Sequence, residues 1–140
     1  MKKLLIINAN YYEIISYNLI VSAKNVLNKQ KIQFNIINVP GIFEIPVTIS
    51  KYIKKYDGFI ALGCVVKGET PHFDLICKST FDGIMRLSIN YSKPIGNGII
   101  TASNISQAEE RCSITNNSQK PNKGSEAAKA VISVLNNDPE

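Results

Sequence analysis

The chain has 140 residues, 44% of them apolar and 19% charged, with a formal net charge of +5 at pH 7. That balance suits one folded domain over residues 1–140 and carries no signature of disorder. The apolar runs are too short to span a bilayer, one histidine and three scattered cysteines make neither a zinc set nor a disulfide framework, and the lysines form no basic stripe interleaved with aromatic rings.

Lys2 and Lys3 lead directly into a strand-like segment without a cleavage site, so no signal peptide is expected. The expectation is a cytoplasmic protein with no metal, no membrane partner and no nucleic-acid partner. Leu4 to Ile7 is a short apolar run of the kind found in a buried strand, ending at Asn8-Ala9-Asn10. Ile15, Leu19, Ala23, Val26 and Leu27 then recur at helical spacing. Phe34 to Val39 predicts a second strand, stopped by Pro40-Gly41. A helix is predicted from about Phe43 to Lys55, with Pro46 in its first turn.

Asp57-Gly58 precedes a third strand, Phe59 to Val66, apolar throughout as a strand covered on both faces should be. A long helix begins near Pro71 and carries Phe73, Ile76, Cys77, Phe81, Ile84 and Leu87 on its apolar positions. Pro94 to Thr101 predicts a fourth strand, and Asn104-Ile105-Ser106-Gln107 reads as a capping box opening another helix. After an Asn- and Ser-rich loop near Asn116 to Asn122, Ala127, Ala128, Val131, Ile132 and Leu135 predict a last helix. Strand and helix alternate four times without a hairpin signal, which implies a four-stranded parallel sheet in a three-layer α/β/α sandwich. The binding crevice of such a sheet lies beyond the carboxyl ends of its strands. Those ends fall at Asn8 to Tyr12, Pro40 to Glu44, Lys67 to His72 and Thr101 to Asn104.

Lys67-Gly68-Glu69-Thr70-Pro71-His72 is the strongest local signal. Thr70 suits an N-cap and Pro71 the first helical position. Gly68 lets the backbone approach a ligand, and a helix N-terminus with unpaired N–H groups is a natural site for phosphate. A merely well-capped helix explains Thr70-Pro71 equally well. His72 lies in the same first turn, and an imidazole beside an anion site on a strand-end loop is a candidate for proton transfer. Tyr11 can offer an aromatic face to a planar ligand, while Tyr12 reads as packing. Glu44 follows Ile42 and Phe43 at the second strand's end, where a helix dipole alone accounts for a carboxylate. Arg111 can bind phosphate through paired hydrogen bonds, although a solvated helix face is the simpler reading, and Lys123 reads first as surface charge.

In order along the chain, three sets of segments together resemble lumazine synthases of riboflavin biosynthesis. They are Val39 to Pro46; Ala61 to Asp74 with its central Gly-Glu-Thr-Pro-His block; and Gly98 to Thr101, Gln107 to Arg111 and Asn122 to Ala128. The resemblance implies a flavodoxin-like topology and condensation of 5-amino-6-(D-ribitylamino)uracil with 3,4-dihydroxy-2-butanone 4-phosphate, without a cofactor or metal. It implies His72 as proton donor and acceptor. Glu69, Thr70 and Arg111 match positions that hold the phosphate, and Tyr11 matches the ring that stacks on the pyrimidine. Ile42, Phe43 and Glu44 match a ribityl-contacting segment, Cys64, Val65 and Val66 a ring pocket, and Lys123 a basic residue near the site. The resemblance also implies sites between subunits, with the Asn97, Arg111 and Lys123 positions supplied by the adjacent chain, and riboflavin synthase as a partner.

Asn97 stands where many members place an aromatic residue that stacks on the pyrimidine, and the resemblance implies that its backbone or amide contacts that substrate instead. The chain begins almost at its first strand, and the loop between Arg111 and Lys123 is longer than in capsid-forming relatives; both point to a homo-oligomer that is a simple pentamer. Competing readings are an archaeal-type riboflavin synthase, a flavodoxin-like flavin carrier and a catalytically degenerate assembly protein. The flavin carrier is disfavoured because Asn8-Ala9-Asn10-Tyr11 lacks a Ser-, Thr- and Gly-rich phosphate loop.

Overall fold

The computed structural model describes residues 2–115 and 121–139, so residues 116–120 of the expected polar loop lie outside the described residues. Strands β1 (Lys3–Ala9), β2 (Gln33–Val39), β3 (Gly58–Val66) and β4 (Ile95–Ala102) form one parallel sheet in the order β2-β1-β3-β4. Helices α1 (Glu13–Lys29), α2 (Ile45–Tyr52), α3 (His72–Tyr91), α4 (Ile105–Arg111) and α5 (Lys123–Asn136) connect and cover it. The strands match the expected ones within a residue or two. The expected second helix is shorter: a 3-10 turn, Ile42–Glu44, precedes α2, whose first turn contains Pro46. The ring cannot donate to an interior helical bond but fits the first turn, where that N–H has no helical acceptor.

Side-chain alternation along the strands divides the core in two. Leu4, Ile6, Ile60, Leu62 and Ile100 bury against α1 and α5. Leu5, Ile7, Phe59, Ala61 and Ile99 bury on the opposite face with Ile45, Ile49 and Ile84, from α2 and α3. The result is a three-layer α/β/α sandwich with flavodoxin-like topology. Strand β3 is paired on both edges and covered on both faces, which accounts for its unbroken apolar sequence.

Two glycines set close approaches that orient the strand ends. A Cβ on Gly63 would come within 2.8 Å of Ile42 Cγ2 and 3.0 Å of Ala9 Cβ, so the turn bearing Phe43 and Glu44 lies directly on β3. A Cβ on Gly124 would collide with the Leu19 carbonyl, so α5 packs against the α1 backbone itself. Among the described residues, no helix is long and apolar enough to cross a membrane.

Candidate active site

At the carboxyl ends of β1, β2 and β3 lies an open cavity of about 480 Å³, within the size range of small-molecule sites. Tyr11, Ile42, Phe43 and Glu44 line one part of it, and Cys64, Val65, Val66 and His72 another. Eight candidate residues, from Tyr11 to His72, therefore share one cleft. Tyr12, Gly41 and Ile76 complete the lining. Tyr12 thus has two roles, packing against the α1 side of the core while facing the cavity. Ile76 is the residue one turn after His72 on the expected apolar face of α3, a position that sequence reasoning assigned to core alone.

A larger cavity of about 660 Å³ lies among the ends of α1, the segment after α4 and α5. It is lined by hydroxyls, amides and lysines, with no histidine or carboxylate, and stands away from the strand ends. Chemistry and topology together favour the smaller cleft.

Tyr11 is 75% exposed and meets the Tyr12 ring edge-on, with centroids 5.0 Å apart and planes at 79°. Its own face is free to stack. The turn that carries both rings is fixed by a buried polar relay absent from the sequence reading: Ser16 Oγ donates to Asn8 Oδ1 at 2.7 Å, and Asn8 Nδ2 donates to Asn38 Oδ1 at 3.1 Å. Asn8 is 2% exposed, so these bonds satisfy a side chain that would otherwise be costly to bury. Periodicity reports only apolar faces, which is why this relay carried no sequence signal.

The β3–α3 loop corrects one expectation. Thr70 is not the N-cap and Pro71 is not the first helical residue. Pro71, at φ −70° and ψ 4°, holds the cap position itself, and helical geometry starts at His72. Thr70 Oγ1 instead accepts a long bond, 3.4 Å, from the His72 N–H. The cap residue Pro71 supplies no side-chain bond to α3, and Gly68 borders open space, where a Cβ would meet nothing within 4 Å. Glu69, Thr70 and His72 are all exposed. Glu69 and the first-turn Asp74 offset the single charge of Lys67, leaving this loop formally negative despite the helix dipole. A phosphate held here needs cations from elsewhere.

Within one chain those cations are apart from the cleft. Asn97, Arg111 and Lys123 are not among its lining residues. Asn97 pairs in register with Ala61, three residues before Cys64, or about 10 Å short of it along the strand. Its Oδ1 accepts from Ile99 N at 3.1 Å, which leaves the amide NH2 as a donor. Arg111 ends α4 and Lys123 begins α5, and both reach Glu126: Arg111 Nη2 stands 3.7 Å from Oε2, and Lys123 Nζ 3.3 Å from Oε1. Glu126 was missed at the sequence level, although its spacing three residues after Lys123 is that of a helical ion pair.

Asparagine caps fix both of these helices. Asn104 Oδ1 accepts from Gln107 N, while Gln107 Oε1 accepts from Ser103 N, one residue earlier than in the expected capping box. Asn122 Oδ1 accepts from both Gly124 N and Ser125 N.

The three cysteines are free thiols with most of their surface buried. Burial pushes the Cys64 thiol up to about 12, with the nearby Cys112 adding to the shift. Cys64 therefore lines the cleft as a neutral, apolar wall and not as a nucleophile. Among the described residues, no group of three His, Cys, Asp or Glu side chains could hold a metal ion.

The fold and cleft define a parallel α/β protein with a candidate site at its strand ends. The chain matches the 6,7-dimethyl-8-ribityllumazine synthase family over residues 1–138. It is 39% identical over 136 residues to the 6,7-dimethyl-8-ribityllumazine synthase of Bartonella bacilliformis, covering 94% of this chain and 87% of that one. The synthase of Zymomonas mobilis is 38% identical over 138 residues, covering 97% and 96%. That of Campylobacter jejuni is 38% identical over 139 residues, covering 96% and 88%. The protein belongs to the 6,7-dimethyl-8-ribityllumazine synthase family, and it is a transferase of riboflavin biosynthesis.

Proposed function

We propose that the protein condenses 5-amino-6-(D-ribitylamino)uracil with 3,4-dihydroxy-2-butanone 4-phosphate, giving 6,7-dimethyl-8-ribityllumazine, phosphate and water. The observation that carries the assignment of residues is the cleft itself, which gathers Tyr11, the Ile42–Glu44 turn, the end of β3 and His72. In this reading the pyrimidine stacks on Tyr11 against the apolar wall of Cys64, Val65 and Val66. The ribityl chain lies along Ile42, Phe43 and Glu44, where backbone groups and a carboxylate can meet its hydroxyls.

The amine of the pyrimidine attacks the ketone of the second substrate. Loss of water gives an imine, elimination releases phosphate and leaves a carbonyl, and attack of the ribitylamine nitrogen on that carbonyl with loss of a second water closes the ring. His72 moves the protons these steps require, taking one where a carbon or nitrogen must lose it and returning one to a leaving oxygen. Holding two reactants in one cleft supplies much of the remaining acceleration.

The phosphate belongs beside Gly68, Glu69 and Thr70, where the open N-terminus of α3 offers N–H donors. The formal charge of that loop does not favour a dianion, and the cations at Arg111 and Lys123 lie outside the same chain's cleft. We therefore place Arg111, Lys123 and Asn97 of an adjacent copy against the cleft, so that the active unit is a homo-oligomer, taken as a pentamer in the cytoplasm. Riboflavin synthase, which would consume the product, is the proposed partner.

The test mixes purified protein with both substrates and follows lumazine by fluorescence and phosphate in parallel. Equal appearance of the two products above the uncatalysed rate is expected. A folded oligomer that gives no acceleration would refute the assignment.

A further inference from the structure

The Arg111–Glu126–Lys123 cluster carries a consequence for how the phosphate enters and leaves. We propose that Glu126 is an internal counter-anion, which the substrate's phosphate displaces from the two cations and which helps expel phosphate after the reaction. This inference rests on the reading of Arg111 and Lys123 as the phosphate-binding cations.

Three features of the cluster support it. One carboxylate faces both cations, its two oxygens divided between them, so the trio has a formal charge of +1 where two bare cations would have +2. The contact with Arg111 is loose: 3.7 Å lies beyond hydrogen-bond distance, and Arg111 Nε is buried without a hydrogen-bond partner. The guanidinium is thus held by charge without the paired hydrogen bonds it is shaped to make. A phosphate with three strong acceptor oxygens can supply such bonds to the accessible part of the guanidinium, whose side chain is 32% exposed. Glu126 is also 44% exposed at its side chain within its own chain, so its own chain leaves it room to turn away from the cations when an anion arrives.

The second half of the role follows from the reaction's own product. Two bare cations would bind inorganic phosphate as readily as they bind the phosphate group of the substrate, and the enzyme would fill with its product. A carboxylate held beside them opposes any anion by like-charge repulsion and by competing for the same donors. The substrate offsets that opposition with contacts elsewhere in the cleft; free phosphate has none. Glu126 therefore separates substrate from product by making the phosphate subsite weak on its own.

The test uses the full-length assembled protein and inorganic phosphate as the probe. Phosphate binding is measured by calorimetry, and its inhibition constant is measured against the phosphorylated substrate. Glu126→Gln keeps the shape and removes the charge, and Glu126→Ala serves as the second variant. Both are expected to bind inorganic phosphate roughly three- to tenfold more tightly, the scale of a partly screened like-charge pair. KM for the phosphorylated substrate should fall in parallel, while kcat should not rise. A carboxylate that merely orients Arg111 predicts the reverse, so phosphate affinity that is unchanged or weaker in both variants would overturn the inference. The underlying assignment has its own control. If wild-type phosphate binding depends on Arg111 but not on Glu126, only the role of Glu126 is lost; if Arg111→Ala leaves that binding intact, the phosphate assignment goes with it.

Discussion

Around Arg111, two helices are pinned by asparagine caps, and α5 is pressed so closely on α1 that Gly124 meets the Leu19 backbone. Around His72, the helix starts without a side-chain cap, and its nearest polar support is one 3.4 Å bond to Thr70. The cation half is preorganised, whereas the histidine half is left open, with exposed residues and a single long polar contact. An open half is a poor place for proton transfer in isolation, because water competes at every donor. It becomes suitable when a second surface covers it. The rigid half, carrying charge of the sign the open loop lacks, has the properties of that cover.

Breaking either half alone should have the largest effect. His72→Ala is expected to slow turnover by roughly a hundredfold or more with the fold intact, the usual contribution of a positioned acid–base group. A loss of only a few-fold would remove His72 from its role. The comparison is sharpened by mixing His72→Ala chains with Arg111→Ala chains under conditions that reassemble the oligomer. If each site combines halves from neighbouring copies, random mixing returns about a quarter of the sites to two native halves. Activity should then rise well above either parent. A mixture that stays at the average of its parents would mean that both residues serve one chain's own site.

Arg111→Ala by itself should weaken use of the phosphorylated substrate by about 1.5–3 kcal/mol, the range for a charge-assisted bond. Steady-state kinetics with that substrate varied will check it, and an unchanged KM would detach Arg111 from the phosphate. The pyrimidine substrate provides the internal control, since Arg111 is not among its expected contacts.

The unequal construction of the two halves also explains what could be read from sequence. Strand runs such as Phe59 to Val66 and the helical spacing of Ile15 to Leu27 are dictated by burial, and burial leaves a periodic trace. The positions Tyr11, Ile42–Glu44, Cys64–Val66 and His72 stand out as candidates because strand ends locate a crevice and because the central motif is distinctive; the structure brings all of them to one cleft. The Asn8–Ser16–Asn38 relay left no such trace, since three polar residues far apart in sequence look solvated until the chain folds them together. The start of α3 was misread by one residue for a related reason. Thr-Pro is a sound local signal for a cap, yet Pro71 has its own ψ near zero and defers the helix to His72. Asn122, by contrast, acts as the cap that its residue type suggests, but it was read only as part of a loop.

The smallest effect discriminates most finely between the halves, because it concerns the caps themselves. Asn122→Ala removes an acceptor that serves two backbone N–H groups at 2.8 and 3.1 Å, and should cost about 1 kcal/mol of stability. Thr70→Ala removes only the long bond to His72 N and should cost no more than a few tenths, well below a true cap. Urea unfolding of the two variants at fixed protein concentration measures both, since oligomerisation makes stability depend on concentration. Equal losses would mean that the β3–α3 loop is held as firmly as the α5 cap. The larger loss at Asn122 would fix the asymmetry in energy as well as geometry, and Thr70 could then affect catalysis only through what it offers the ligand.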